Sequence, residues 1–463
     1  MVQQTLDIGG INGAQPLAGQ PRRLRRRMLA AATVWTVVAI NALVIVWLWL
    51  HGGGISAVHN IGELCTSVGR VTGLISAYLA LVQVLLLSRL PWLERIAGFD
   101  RLTVWHRLNG KICLYLVLAH VVFITIGYAA ADRVSIPREI SALLNDYPGM
   151  VAATVGTALM IAVVVTSLVI VRRRLRYEAW YAVHLSVYLG IALAWIHQVP
   201  TGNELAANLV AATYWTALYV VTAAFLVVFR LVLPAWHLCR HGLRVSEVTV
   251  EGPGVVSLRI SGRHLDRLGA SAGQFFLWRF LSRGTWWESH PFSLSEAPDG
   301  QSLRITVKDV GDFTRRIGAI PAGTRVIAEG PFGVFTDVVR RRDKVVLIAG
   351  GIGITPIRSL VEEMPGDLAL IYRVVRERDI VFREELEALA RKRGIKLYFV
   401  VGDHAAPEAA RLLSPEHLRE LLPDIAEREV YLCGPPPMMA VVERNVRDSG
   451  VPPLYIHSER FAL

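Results

Sequence analysis

Four histidines in apolar surroundings give this sequence its clearest chemistry. His106 and His120 lie fourteen residues apart in one apolar run, and His184 and His197 lie thirteen apart in a later one. On an α-helix the first pair leaves nearly the same face, about 40° short of four full turns and about 21 Å apart along the axis. The second pair has about 20 Å of rise, but its second ring sits about 140° round from its first. Depth therefore matches and phase does not, so a shared face on the second helix requires tilt, overwinding or differently rotated rings. A single histidine in a membrane helix is most simply a packed, hydrogen-bonded residue. Four in two depth-matched pairs set imidazoles on both sides of a metal at two levels. That arrangement suits haem iron, and the spacing predicts two bis-histidine b-type haems.

The elements that must hold these histidines are apolar runs of bilayer length. The chain has 463 residues, 53% of them hydrophobic, and the apolar excess lies before residue 235. Six spans are predicted at 28–50, 71–90, 105–128, 151–171, 180–199 and 208–233, each near the twenty residues a bilayer requires. Residues 1–27 read as a disordered basic tail ending in Arg22, Arg23, Arg25, Arg26 and Arg27. An arginine cluster directly before an apolar run stays in the cytoplasm, which sets the amino terminus inside. The loops agree: Arg89, Arg95 and Arg101 fall in the second loop and Arg172, Arg173, Arg174 and Arg176 in the fourth. The expectation is a multi-pass protein of the plasma membrane with both termini cytoplasmic, His106 and His184 near the cytoplasm and His120 and His197 near the outer face. The net charge of +11 is thus a topology signal beside a lipid bilayer, with no nucleic-acid partner implied and no protein partner evident. Cys65, Cys113, Cys239 and Cys433 form no zinc, iron–sulfur or disulfide spacing.

Beyond residue 235 the apolar runs shorten to strand length and glycine and proline punctuate them. Short runs from about 244 to 339 predict a small β-barrel, and from 344 onward strands alternate with helices, an α/β parallel sheet. The fold class is therefore multi-domain: a six-helix haem-binding membrane bundle at 28–235, a β-barrel at 240–341 and an α/β nucleotide-binding domain at 342–463. Residues 345–357, VVLIAGGIGITPI, read as a buried strand, a turn with Gly350, Gly351 and Gly353, and a helix start with Pro356 in its first turn. Such a turn lets a pyrophosphate approach the backbone and the helix amino terminus, although tight turns need glycine anyway. The second strand ends in Tyr372 and Arg373, with Arg376 and Arg378 close by. Arginine there suits the 2′-phosphate of NADPH; the alternative is a solvated basic loop.

The run HPFSL, His290 to Leu294, resembles the flavin motif of the ferric reductase and NADPH oxidase superfamily, and the resemblance spans nearly the whole chain after the tail. It implies FAD held by His290, Pro291, Phe292 and Ser293, with Phe292 and Ser293 bordering the isoalloxazine. VKDVGDFT resembles the family's pyrophosphate turn, which implies roles for Lys308, Gly311 and Thr314. AGGIGITP, with Gly350, Gly351, Gly353, Thr355 and Pro356, and CGPPPMM, with Cys433, Gly434 and Pro435, resemble its nicotinamide-nucleotide site. Phe461 in the terminal ERFAL falls where relatives set an aromatic against the flavin. The four haem ligands of the family fall on the four histidines, and Arg70 on an arginine near the outer haem. Animal NADPH oxidases usually carry another histidine where this chain has Ile124, and neither an EF-hand loop nor an iron–sulfur spacing appears.

The resemblance implies an enzyme that takes hydride from cytoplasmic NADPH (or NADH) onto FAD and passes electrons singly through two haems to an extracytoplasmic acceptor. Oxygen, giving superoxide, is the preferred acceptor. The alternatives are a ferric-chelate reductase with the same wiring and a haem-free membrane anchor for a soluble reductase.

Overall fold

The computed structural model describes residues 20–172, 174–175, 177–403 and 411–459. The chain divides into two compact units, one formed by Leu29–Leu93 and Asp100–Leu231, the other built from Val232 onward with the short segment Glu94–Phe99.

The first unit contains six helices long and apolar enough to cross a membrane. They are α1 (Gln20–His51), α2 (Ile61–Leu86), α3 (Phe99–Asp132), α5 (Met150–Ser167), α6 (Tyr177–Thr201) and α7 (Leu209–Val227), with a shorter amphipathic helix, α4 (Ile136–Asp146), between α3 and α5. The amino-terminal helix already begins at Gln20, inside the segment expected to be a tail to residue 27; residues 1–19 lie outside the described residues. The sixth span does not end at 233, because a π-turn (Val228–Val232) carries it into a further helix, α8 (Leu233–His241). Asn60 caps α2 by accepting from the Glu63 amide at 3.0 Å, satisfying one of the donors a helix start leaves unpaired.

Small residues set how closely these helices approach. A Cβ on Gly156 of α5 would sit 2.5 Å from the Gly190 carbonyl oxygen of α6 and 3.0 Å from the Ala194 amide nitrogen. Backbone therefore packs on backbone, the means by which helices associate in lipid, where apolar burial gives little drive.

In the second unit the residues expected to form a barrel make two three-stranded antiparallel sheets. One is ordered β1 (Arg244–Gly252), β2 (Val255–Ser261), β5 (Ser302–Lys308); the other is β4 (His290–Ser293), β3 (Phe275–Phe280), β6 (Val326–Phe332). Single bridges, Arg244 to Arg325 and Leu294 to Ile305, join their edges and close a six-stranded cycle around Leu258, Phe276, Trp278, Phe280 and Ile305. Phe99 packs edge-on against Phe275 at 6.2 Å, which explains why a segment between two spans clusters with this unit.

The remaining strands, β7 (Lys344–Gly350), β8 (Asp367–Val374), β9 (Lys396–Val401), β10 (Glu429–Cys433) and β11 (Ile456–Glu459), form one parallel sheet ordered β11-β10-β7-β8-β9. Val345, Leu347 and Ala349 face one core and Val346 and Ile348 the other, as expected of a parallel strand covered on both faces. The chain order reverses at β7, so the crevice at the carboxyl ends of β7 and β10 is the switch point at which such sheets take ligands.

Gly156→Leu should force α5 and α6 apart and lower the thermal unfolding midpoint of the detergent-solubilised protein by several degrees, the overpacking penalty being about 1–3 kcal/mol. An unchanged midpoint would mean that this contact is not set by glycine.

Candidate functional site

In the membrane unit the four histidines meet in two pairs. The rings of His106 and His184 face one another with centroids 6.1 Å apart and planes 45° apart, and those of His120 and His197 at 6.4 Å and 35°. The rings converge despite the ideal-helix phase mismatch between His184 and His197. The gap suits an ion held between two imidazoles: a metal–nitrogen bond of about 2 Å on each side, plus roughly 1 Å from nitrogen to ring centre, gives about 6 Å. The second ring nitrogens have protein partners in three of the four, His184 Nδ1 lying 3.4 Å from the Ser167 hydroxyl oxygen. His120 Nδ1 lies 2.8 Å from the Gly69 carbonyl oxygen and His106 Nδ1 lies 3.2 Å from that of Gln83. An Nδ1–H that donates to a carbonyl leaves Nε2 free to ligate and fixes the ring's orientation. Gly73 allows this, because a Cβ there would collide with the His120 ring. Sequence reasoning passed over this cradle, although Gly69 and Gly73 form the small-xxx-small spacing that marks close helix approach. Among the described residues no group of three or more His, Cys, Asp or Glu stands together as a metal site. Each level offers two protein ligands.

A cavity of about 480 Å³ opens at the His120–His197 level, lined by both rings, Ile124, Tyr128, Thr157, Gln198, Trp215 and Tyr219 among others, and lies within the usual size of cofactor pockets. Arg70 borders it, but its charge is already engaged: Nε donates to Glu204 Oε1 at 2.7 Å and a terminal nitrogen donates to the Gly52 carbonyl at 2.7 Å. The Glu204 side chain is 2% exposed and that of Arg70 is 15%. Nothing in the sequence marks Glu204 as the partner of Arg70, because the two lie 134 residues apart.

In the second unit the HPFS run is β4. His290 stacks on Phe313 at 3.8 Å, with Phe292 nearly parallel to Phe313 at 6.5 Å. Glu288 accepts from Arg316 at 2.7 Å and lies 3.1 Å from His290. Trp278 Nε1 holds the Phe292 carbonyl at 2.9 Å. Ser293 is buried and its hydroxyl has no hydrogen-bond partner among the described residues. A buried hydroxyl left without a partner costs about 1–3 kcal/mol, and a polar ligand atom at β4 removes that cost. Thr314 pins the expected pyrophosphate turn, its hydroxyl oxygen accepting from the amides of Val310 at 2.9 Å and Gly311 at 3.0 Å, while Lys308 is exposed. Phe461 lies outside the described residues.

At the switch point, Gly351 takes the left-handed φ of +52°. A Cβ on Gly353 would lie 2.7 Å from the Gly434 amide nitrogen, and one on Gly434 would lie 3.1 Å from Gly350 Cα. The two turns therefore approach as bare backbone, as a site for a pyrophosphate requires. Thr355 and Pro356 lie in the first turn of the helix that follows, α9 (Ile354–Glu363). Cys433, fully buried beside Pro435 and Gly434, has its thiol held well above the ordinary range by burial and then by the charge of Glu459. It is a neutral wall rather than a thiolate nucleophile. Arg373 at the end of β8 is turned onto the Val374 carbonyl and lies 3.5 Å from that of Val400, whereas Arg376 and Arg378 are exposed.

The α9 helix also docks the barrel, a feature no motif signalled. Ser359 accepts from the Gly273 amide at 2.9 Å, Glu363 from Ala272 at 3.0 Å and Glu362 from Ala297 at 2.9 Å. Arg304 of the barrel makes a two-pronged bond to Glu385 at 2.8 Å on each side, and Glu385 also accepts from Arg358 at 3.1 Å. The element that begins at the glycine turn is thereby fixed to the sheets that carry His290–Ser293.

Comparison with known proteins yields three successive family matches: a "ferric reductase like transmembrane component" over residues 72–195, an "FAD-binding domain" over 240–336 and an "oxidoreductase NAD-binding domain" over 347–444. The first spans His106, His120 and His184. Similar curated proteins include the glycine betaine monooxygenase reductase subunit of Chromohalobacter salexigens, 29% identical over 187 residues, or 37% of this chain and 50% of that protein. NADH-cytochrome b5 reductase 1 of Laccaria bicolor is 28% identical over 174 residues, 35% of this chain and 56% of its own length. The ferredoxin reductase component of 3-ketosteroid-9-alpha-monooxygenase from Mycolicibacterium smegmatis is 32% identical over 232 residues, 47% of this chain and 65% of its own. The chain thus spans between half and two thirds of these relatives.

Arg70→Met should strand the Glu204 carboxylate and destabilise the membrane unit by about 3–5 kcal/mol, read as a fall in unfolding midpoint, whereas Arg70→Met with Glu204→Gln should recover most of it. A single variant as stable as the parent would show that the pair carries no structural charge.

Proposed function

We propose that the chain, with these three domains in order, is a transmembrane, NAD(P)H-dependent oxidoreductase of the ferric reductase and NADPH oxidase superfamily that moves electrons from NAD(P)H on the cytoplasmic side to oxygen on the other, releasing superoxide. The observation that carries this reading is the pair of imidazole gaps of 6.1 and 6.4 Å at two levels of one helix bundle. Among the described residues no third His, Cys, Asp or Glu joins either pair, so these histidines suit a metal whose other ligands would come from a macrocycle. His106 with His184 and His120 with His197 would each hold a b-type haem; Phe292, Ser293 and Thr314 would hold FAD; the turns at Gly350–Gly353 and Cys433–Pro435 would hold the dinucleotide. When bound, FAD converts a two-electron hydride into single electrons and the haems carry those across the apolar layer.

The chain's own residues orient and insulate. Backbone at Gly351, Gly353 and Gly434 leaves room for phosphates, Ser293 offers a hydrogen bond at the flavin wall, and the α9 contacts with the barrel hold nucleotide and flavin sites in one register. His120 and His197 would both be engaged in holding the haem, so an acceptor would have to approach beside them, which favours a small diffusible molecule. One NAD(P)H supplies two electrons and one proton on becoming NAD(P)⁺, and each of two oxygen molecules takes one electron to give superoxide. Arg70 is charge-compensated by Glu204, so it positions the cavity's polar rim rather than acting as a bare cation. The arginine clusters support a cytoplasmic reductase module and a plasma-membrane setting.

Replacement of His106 or His184 by Ala should deplete one haem and of His120 or His197 the other, measured as haem per chain in the purified protein; full haem in all four variants would refute the assignment. A relative named as an NADH reductase leaves the dinucleotide open. Arg373→Ala should raise the KM for NADPH about tenfold more than that for NADH, because a 2′-phosphate contact is charge-assisted. Equal changes would mark Arg373 as a strand-end residue bonded only to carbonyls. Superoxide from NADPH and air in membranes, against anaerobic reduction of a ferric chelate, tests the acceptor; fast iron reduction with negligible superoxide would reverse the choice.

A further inference from the structure

The His120–His197 cavity is covered along one side by α4. This helix is too short to span a bilayer, and Ile140, Leu143, Leu144 and Tyr147, spaced along one helical face into its carboxyl-terminal cap, line the cavity. Leu143 is buried, and Tyr147 lies against Tyr128 with ring centroids 5.9 Å apart. Two residues in the left-handed region bracket the helix, Arg133 at φ +57° and Gly149 at φ +79°. For Arg133 that conformation is uncommon. Gly149 is confined, since a Cβ there would lie 3.0 Å from the His197 amide nitrogen. One end of α4 is thus pinned at the ligand-bearing helix and the other at the end of α3, which carries His120.

We propose that α4 is an acceptor gate: its apolar face, through Ile140, Leu143 and Leu144, walls the group that His120 and His197 would hold, closes access to that group to molecules larger than dioxygen, and so sets which acceptor the protein can reduce. The inference rests on the reading that electrons leave at this level. Dioxygen is apolar and passes between methyl groups during small fluctuations. A hydrated, charged ferric chelate is far bulkier than dioxygen and strongly disfavoured among these side chains. The gate therefore discriminates by size and polarity together, with no group that recognises oxygen as such.

The test uses the full chain, loaded with haem and FAD, in lipid nanodiscs. Leu143→Ala/Leu144→Ala should raise anaerobic, NADPH-driven reduction of ferric–EDTA about tenfold relative to the parent, while superoxide formation in air changes less than about twofold. A readout independent of turnover is thiol labelling of Thr157→Cys, which lines the cavity. In the otherwise unaltered chain it should react with a small methanethiosulfonate but not with a bulky maleimide, and in the gate variant with both, each measured against the same protein lacking the introduced cysteine. Leu144→Ala alone, a milder opening, covers the case in which the double variant loses haem. Unchanged labelling and an unchanged ratio of the two activities, with superoxide still formed, would overturn the gate and leave the proposed function standing. Opened labelling with neither activity moved would overturn both the gate and the assignment of the His120–His197 level as the point of electron exit.

Discussion

Two facing imidazoles separated by about 6 Å, repeated at a second level of the same bundle, impose most of what the membrane unit must be. Such a gap is stable only if something holds the rings apart and something else fills the space. The first role falls to backbone: the Gly69 and Gln83 carbonyls engage Nδ1 of His120 and His106. The absence of side chains at Gly69 and Gly73 lets α2 come near enough to do it. The close contact of Gly156 and Gly190 sets α6 beside α5 in the same way. Ring orientation is thus a consequence of helix approach, and helix approach of glycine placement.

The reductase unit obeys a related constraint with different means. Phosphates need bare backbone, so the turns after β7 and β10 meet through glycine, and hydride transfer needs two ligands held in fixed register. Here α9 serves both ends. Its first turn follows the glycines, and its later residues, Arg358, Ser359, Glu362 and Glu363, bind the barrel or the groups that clamp it. A buried arginine such as Arg304 is tolerable because its charge is met by carboxylates, Glu385 through both terminal nitrogens and Glu296 at 3.2 Å from Nε.

Much of this was legible in the sequence because it depends on local pattern. Apolar length marked six spans, the histidine spacing marked two depths, and VVLIAGGIGITPI displayed a strand, a turn and a helix start. What escaped depends on distant partners or on pattern too short to stand out. Glu204 reads as a loop acid until Arg70 is beside it. The eleven-residue α4 is too short to register beside the predicted spans 105–128 and 151–171, although Ile140, Leu143, Leu144 and Tyr147 already carry a helical period. The edge strand β11, IHSE, is too polar and brief to announce itself. Glu94–Phe99 joins the reductase unit through Phe99, a residue whose sequence neighbours belong to membrane helices.

The central claim is that a single chain conducts electrons from NAD(P)H to both histidine levels. An anaerobic reduced-minus-oxidised absorbance spectrum of the purified protein, with NADPH as sole donor and haem and flavin quantified per chain, tests it most directly. The account predicts one FAD and two haems, both reduced by NADPH with the signature of bis-histidine iron and both reoxidised when air is admitted. Haem-free protein that still oxidises NADPH, or haems that only dithionite reduces, would contradict it.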